Sequence, residues 1–389
     1  MIFAATQCGS FAEAERTLAE LAALHVRVKR IWRAAQRAGE EQLAQERQRV
    51  EAYEALPLPA RQKSPVKDVP QVACVSMDGG RFQRRERQPS DTSSPGENTT
   101  CWREMKVGCL VSMTSTAVTE DPCPELPATF ADPGRMRQIT QEIKGFSADQ
   151  ELCESLADAV PTTPQVERPG RPEVVHRSVV ATAQEVAVFG PQLATAAYER
   201  GFHAAPRKAF VADGSETNWG VWRKHFSHYT PIVDFVHALM YVYAAAMAGE
   251  TSAGAWQRYR QWAQWLWGGA VDTLLTALAD RQQELGLPTP DEQGTPRAQV
   301  AESLRYLTNQ RGRMKYDQYR CAGLPITSTL VESTIKQINR RVKGTEKFWS
   351  GGIEPMLTLI AKHLSERPTS PPSSSKESTT SHSNCQQAA

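Results

Sequence analysis

The sequence lacks any apolar run approaching the roughly 18 residues of a membrane-spanning helix. It lacks C-x-x-C spacing among its eight cysteines, so a zinc site is not expected. The apolar stretch after Met1 is too short for the core of a secretion signal. Reduced cysteines and a cytoplasmic location are therefore expected, not a disulfide framework. Net charge is only +2 over 389 residues, so global charge names no partner. What is present is a 40% hydrophobic complement, enough to build cores for two or three domains.

Ser10-Phe11-Ala12-Glu13 is a capping-box pattern, and Phe11, Ala14, Leu18 and Leu21 follow at helical spacing. A turn at 22–25 leads to a second short helix carrying Val28, Ile31, Trp32 and Ala35, with Gly39 placed to end it. Its other face holds Arg27, Lys29, Arg30, Arg33 and Arg37. Two short helices with a basic second one read as a helix-turn-helix offered to a DNA groove. The alternative is a helical hairpin with a solvated basic face. Residues 40–56 read as charged helix or linker, which makes 1–56 the first unit, and prolines from Pro57 to Pro70 mark a boundary.

Residues 70–235 open the second unit. The run 72–80 predicts a buried strand ending in Asp78-Gly79, and 102–113 predicts its hairpin partner across a loop at 88–100. Residues 115–175 read as irregular, with helices near 134–144 and 148–158. Residues 177–201 read as one helix interrupted near Gly190-Pro191. A strand over 208–214 again ends in Asp-Gly, at Asp213. A short helix with Trp219 and Trp222 follows, then a strand over 230–234. Residues 236–311 read as an all-helical insertion. Residues 312–365 carry an amphipathic helix at 331–343, with Val331, Ile335, Ile338 and Val342 on one face. The Ser/Thr/Pro-rich tail from 366 to 389 is expected to be disordered.

Three acids stand out by position. Asp78 and Asp213 each end a predicted strand, where α/β sheets handle ligands. Glu332 lies near the start of the amphipathic helix. Each alone has a plainer reading: an Asp-Gly turn, or a Glu332–Lys336 pair one helical turn apart. Together they could hold two hard divalent cations, Mg²⁺ or Mn²⁺, through oxygen ligands, and such a pair cleaves phosphodiesters. Cations crowd around them. Residues 311–347 hold nine Lys/Arg against three acids, and Arg81, Arg84, Arg85 and Arg87 follow Asp78.

The order Asp78, Asp213, Glu332 resembles the DDE triad of insertion-sequence transposases, and the local sequence is similar to the Kra-type group and its relatives. The similar stretches are 75–79, 210–214 with Trp219, 234–238, and 323–333 (G-L-P-I-T-S-T-L-V-E-S). The blocks 341–344, Trp349-Ser350 and 354–357 also fit, so the resemblance spans roughly residues 10–365. It implies an α/β fold: an RNase H-like core with an all-helical insertion, preceded by a small helix-turn-helix domain. It implies a metal-dependent transposase in which Asp78, Asp213 and Glu332 are catalytic and bind the metals. Lys336, Arg340, Arg341 and Lys343 would contact phosphate, and Arg30, Arg33 and Arg37 would meet the terminal repeats.

Asp234 and His237 match a D-x-x-H element that implies an auxiliary site near the DNA end; a core histidine fits equally. Tryptophans 256–267 fall in the insertion, where core packing accounts for most and one is available to stack on an unpaired base. The resemblance further implies transposon-end and target DNA as partners, a homodimer or higher oligomer on DNA, and a place at the bacterial nucleoid. Thr329 stands where the family has glycine, so a positive φ there would strain the turn presenting Glu332. The helix-turn-helix begins nearer Met1 than in related proteins, as in a truncated copy. The rivals are an inactive remnant that only binds DNA and a metal-dependent nuclease on the same core.

Overall fold

Val72 to Met77 is buried at every position, as a strand covered on both faces must be. A computed structural model of the chain puts this strand at the centre of a mixed sheet. The structure describes residues 1–87, 98–142, 171–250, 252–343 and 347–365. Strand β1 (Val72–Arg87) pairs antiparallel with β2 (Asn98–Thr114), and β2 antiparallel with β3 (Glu173–Thr182). On its other side β1 runs parallel to β4 (Arg207–Ala212), and β4 parallel to β5 (Thr230–Val233). The order is β3-β2-β1-β4-β5, and the two-residue β6 (Phe348–Trp349) pairs with β1 at Arg84 and Arg85.

The N-terminal helices are α1 (Ile2–Gln7), α2 (Phe11–Ala22) and α3 (Val28–Glu54), followed by the short α4 (Leu58–Arg61). Ser10 caps α2, its hydroxyl accepting the Glu13 N–H at 3.0 Å, and the Glu13 carboxylate accepts the Gly9 N–H at 2.7 Å. The second helix is not short. It runs 27 residues straight through Gly39. Gly39 is buried against a helix far away in sequence, α14 (Ser350–Leu364), and a Cβ there would lie 2.5 Å from the Pro355 backbone. Glycine here permits close helix approach; it is not a terminator. Gly39→Ala gains about 1 kcal/mol of helix propensity but must push α3 off α14, at about 1–3 kcal/mol. We expect a net loss of about 1 kcal/mol in chemical denaturation; a stabilised variant would show that the two helices part easily. Arg30, Arg33 and Arg37 remain exposed on α3.

After α5 (Pro133–Glu142), the stretch expected as one broken helix is a strand followed by a helix, α6 (Val186–Glu199). Val174, Val175, Val179 and Val180 are β-branched and extend the sheet beyond β2 as part of β3. Pro191 lies inside α6 without ending it. Helix α7 (Glu216–His225) joins β4 to β5.

From there the described chain is helical: α8 (Phe235–Met247), α9 (Ala253–Trp267), α10 (Val271–Leu285), α11 (Pro296–Gln310) and α12 (Tyr316–Cys321). Trp262 and Trp267 are buried, and the Trp267 indole donates to the Cys123 carbonyl at 2.7 Å beneath the Arg320 guanidinium. Packing accounts for these rings. Helix α13 (Thr329–Val342) then returns to the sheet.

Two helices cover the sheet on opposite faces. Phe189 and Leu193 of α6 fill the space a Gly108 side chain would need, while Thr334 of α13 accepts from the neighbouring Cys109 thiol at 3.3 Å. Adjacent strand residues face opposite sides, so α6 and α13 sandwich β2. Thr329 opens α13 in helical conformation; among the described residues the only non-glycine with positive φ is Ala23. The strain expected at Thr329 is absent. One hydrophobic cluster joins Phe11, Ile31, Val75, Leu193, Leu274 and Leu357. Among the described residues no helix is long and apolar enough to cross a membrane. The predicted helix at 148–158, most of the predicted loop at 88–100 and the tail from 366 lie outside the described residues.

Candidate acidic site

The parallel ladder between β1 and β4 closes at Ser76 and Val211, and two residues further on each strand carries an aspartate. Here the strands differ. Strand β4 stops, and Gly214 turns the chain with φ +93°. Strand β1 does not end at Asp78 as expected but continues nine residues to Arg87, with Asp78 opposite Val107. The Gly79 N–H donates to the Asp78 carboxylate at 2.6 Å.

Asn218, on the first turn of α7, ties the two aspartate-bearing segments together. Its amide donates to the Asp213 carboxylate at 2.8 Å and reaches the Met77 carbonyl at 3.4 Å. The Ser215 N–H also donates to Asp213, at 2.9 Å. Helix α11 roofs this turn: the Tyr306 hydroxyl donates to the Asp213 carbonyl at 2.6 Å, and the Gln310 amide to the Gly214 carbonyl at 2.9 Å. A side chain at Gly214 would collide with the Tyr306 ring.

Asp234 follows β5 directly and caps α8, its carboxylate accepting the His237 N–H at 3.0 Å. Only 1% of it is exposed. Its second oxygen accepts the Ser328 N–H and, at 2.7 Å, the Ser328 hydroxyl. Ser328 precedes α13, so this one carboxylate joins the start of α8 to the start of α13. The His237 Nδ1 lies 3.4 Å from the Asp234 carboxylate, an ion-pair distance without hydrogen-bond alignment, and 4.0 Å from the Glu332 carboxylate.

The electrostatics show how close these acids are. Burial, then the charge of Asp213, pushes the Asp78 carboxyl up to about 6. Burial, then the charges of Asp234 and Asp78, raises Glu332 despite the opposing pull of His237 and Lys336. Burial would raise Asp234 too, but His237 and the two Ser328 donors outweigh it and hold that carboxyl low. Burial would lower His237; the carboxylates of Asp234, Asp213 and Glu332 instead hold it up at about 9, so it is a cation at neutral pH. The Asp234 and Glu332 carboxylates thus stand directly beside the His237 ring.

Donor atoms of Asp234, His237 and Glu332 lie within 4.8 Å of one another, a spacing that suits a metal. The chemistry does not suit one. Both Asp234 oxygens already accept hydrogen bonds, which a metal there would have to displace. Asp78 and Glu332 are half-buried, and their carboxyls are the ones raised by crowding.

Lys336, Arg340 and Lys343 are exposed on α13, whereas Arg341 is not available to a ligand. Arg341 is 1% exposed, donates to the Ala5 carbonyl at 2.9 Å and lies over the rings of Phe11 and Phe348. Helix α13 has its cations at both edges of its apolar stripe, and one edge is covered by α1 and α2. Others of the basic segment are engaged too: Arg320 with Asp121, Arg311 with Asp272, and Arg313 over Trp219. Sequence reading missed Asn218, Tyr306 and Gln310, and it had Ser328 only as part of the 323–333 block, without its tie to Asp234; Asn218 left a trace, three residues after the helix-capping Ser215. No protein-family model matches the chain, and no curated protein does.

Proposed function

We propose that the chain is a DNA transposase of the DDE type, with Asp78, Asp213 and Glu332 as its catalytic acids. The observation that carries this reading is the junction of two neighbouring parallel strands. Each brings a carboxylate there, Asn218 links them, and α13 adds a third whose ionisation is opposed by the first. The sheet order supports an RNase H-like core: three antiparallel strands, then two parallel to the first, in the order 3-2-1-4-5.

The donor set fits a hard divalent cation, Mg²⁺ or Mn²⁺. It is all oxygen and its charges repel one another without a cation between them. Asp78, Asp213 and Glu332 would hold the ions. When bound, such ions activate a water and stabilise the leaving oxygen in phosphodiester cleavage. Around them the chain's own groups have definite tasks. Asn218 and Ser215 fix the Asp213 carboxylate. Asp234 fixes the start of α13, and with it Glu332. His237 sets a positive charge beside the acids, where a phosphate anion would lie. Lys336, Arg340 and Lys343 extend that positive field along α13, and Arg30, Arg33 and Arg37 offer a second basic face on α3 for the transposon end. In this reading the chain works as a dimer or higher oligomer on paired ends, at the bacterial nucleoid.

The test is cleavage and joining of DNA that flanks the chain's own coding sequence, with Mg²⁺, Mn²⁺ or a chelator. Asp213→Asn is expected to lower cleavage about a thousandfold, the equivalent of about 4 kcal/mol of lost transition-state stabilisation, while DNA binding persists. A wild-type chain that binds but never cleaves would instead be a DNA-binding remnant. Cleavage without any joined product would make it a nuclease.

A further inference from the structure

The β1–β2 pair outruns β3, β4 and β5, and among the described residues the two-residue β6 joins its far end at Arg84 and Arg85. Strand β4 leaves β1 at Ser76 and β3 leaves β2 at Lys106, yet the antiparallel ladder continues to Arg87 and Asn98. Past Asp78 the two strands form a ribbon about 30 Å long, at roughly 3.3 Å per residue. One of its faces is anchored: Gly80, Phe82 and Met105 are buried, and Ile335 of α13 packs at Gly80. The other face is open. Arg81 and Arg85 are exposed on it, two residues either side of Gln83, and directly opposite Gln83 stands Trp102. Opposed residues share a face, so Trp102 stands on the same face as Arg81 and Arg85.

Trp102 is 56% exposed, against 4% or less for Trp219, Trp262 and Trp267. Glu104, across from Arg81, is engaged by Lys106 at 2.8 Å. Trp102 is more than half exposed and shares its face with two exposed cations. That face has the composition of a platform for a base: a sequence-tolerant π-face with positive charge placed for the adjoining phosphates.

We propose that this ribbon grips DNA outside the acidic site, with Arg81 and Arg85 on the backbone and Trp102 stacked on an unpaired base. Bases within a duplex are already stacked, so the fit is to a strand end or a flipped nucleotide. Asp78 and the Trp102 pair are five residues apart, about 16 Å along the ribbon, an odd spacing that puts the indole on the face opposite the Asp78 side chain. The proposal rests on the reading of those acids as a DNA-cleaving centre.

The experiment titrates the full chain into two labelled probes, a blunt duplex and the same duplex with a short 3′ single-stranded tail. Wild type is expected to prefer the tailed probe about tenfold, Trp102→Phe to keep most of that preference and Trp102→Ala to lose it, with blunt affinity unchanged. A 2-aminopurine in the tail should be quenched by wild type and not by Trp102→Ala. Arg81→Ala and Arg85→Ala should weaken both probes alike, each lowering the log–log salt slope by about one. Trp102→Ala with the tail preference intact overturns the ribbon alone. Binding to neither probe overturns the ribbon together with the transposase reading.

Discussion

Asp78→Asn is expected to abolish cleavage and, in chelator, to stabilise the fold above about pH 7 by about 2–3 kcal/mol. The sign follows from linkage. A carboxyl pushed up to about 6 by burial and by Asp213 binds its proton more tightly folded than unfolded. Its contribution is neutral at low pH, and stability is lost as pH rises from about 4 through about 6. The whole loss is about 3 kcal/mol once pH exceeds both values. Asparagine removes the charge and keeps the shape, and its carbonyl can still accept the Gly79 N–H now held at 2.6 Å.

Two neighbours respond. Glu332, raised partly by Asp78, relaxes toward its ordinary range, which adds to the gain. His237 follows the opposite rule. Held up at about 9, it contributes stability that is complete below about 6.5 and is lost as pH rises through about 9. Asp234, Asp213 and Glu332 hold it there and remain in the variant. Urea unfolding of both proteins across this range reads the effect directly. Adding Mg²⁺ should then stabilise wild type by mass action and the variant much less. If Asp78→Asn is the weaker fold at every pH in chelator, the acids are not mutually repulsive and a metal is not what they are arranged for.

Much of this site was legible because residues 72–77 of β1 and 209–212 of β4 are buried, so these runs mark the strands and the charged residue that follows each run marks where it leaves the core. The continuation of β1 was not legible. Residues 81–87 are almost all polar, and what makes them a strand is the partner β2, with Phe82 alone reaching the core. The start of α6 was missed for a similar reason. No glycine or proline separates β3 from α6; the break is imposed by Glu354, which accepts from the Thr182 hydroxyl and, at 2.8 Å, from the Ala183 N–H. Gly39 and Arg341 misled because local rules were applied to positions that distant residues decide, Pro355 in one case and Ala5, Phe11 and Phe348 in the other. The spacing of Asp234 and His237 was visible. Their tie to Ser328 spans 94 residues and no periodicity records it.

That tie carries the last large effect. Asp234→Ala is expected to destabilise the fold by about 3–5 kcal/mol, the cost of leaving buried partners of a carboxylate unpaired. The carboxylate serves three donors and one cation. It caps α8, accepts the Ser328 N–H and hydroxyl, and balances the His237 cation. Loss of the cap alone costs about 1 kcal/mol, and each orphaned buried donor about 1–3. These do not simply add. His237 has 23% of its side chain exposed and can shed its proton once the carboxylate is gone, which limits the penalty.

Asp234→Asn separates the structural from the functional part. One oxygen remains to cap α8 and the Ser328 hydroxyl can rotate to accept from the new amide, but the Ser328 N–H loses its acceptor, so the variant keeps part of the stability and loses about 1–3 kcal/mol. The charge is lost, and the His237 titration seen by NMR should fall from about 9 toward its ordinary value. Ser328 leads into α13, and the Glu332 N–H reaches back to its carbonyl at 3.4 Å. A shift of Ser328 therefore moves Glu332. A displacement of about 1 Å at a catalytic group costs about a hundredfold in rate, so Asp234→Asn should lose cleavage out of proportion to stability. Full cleavage by a folded Asp234→Asn protein would break the connection from α8 to Glu332, and Asp234 would then be a helix cap and nothing more.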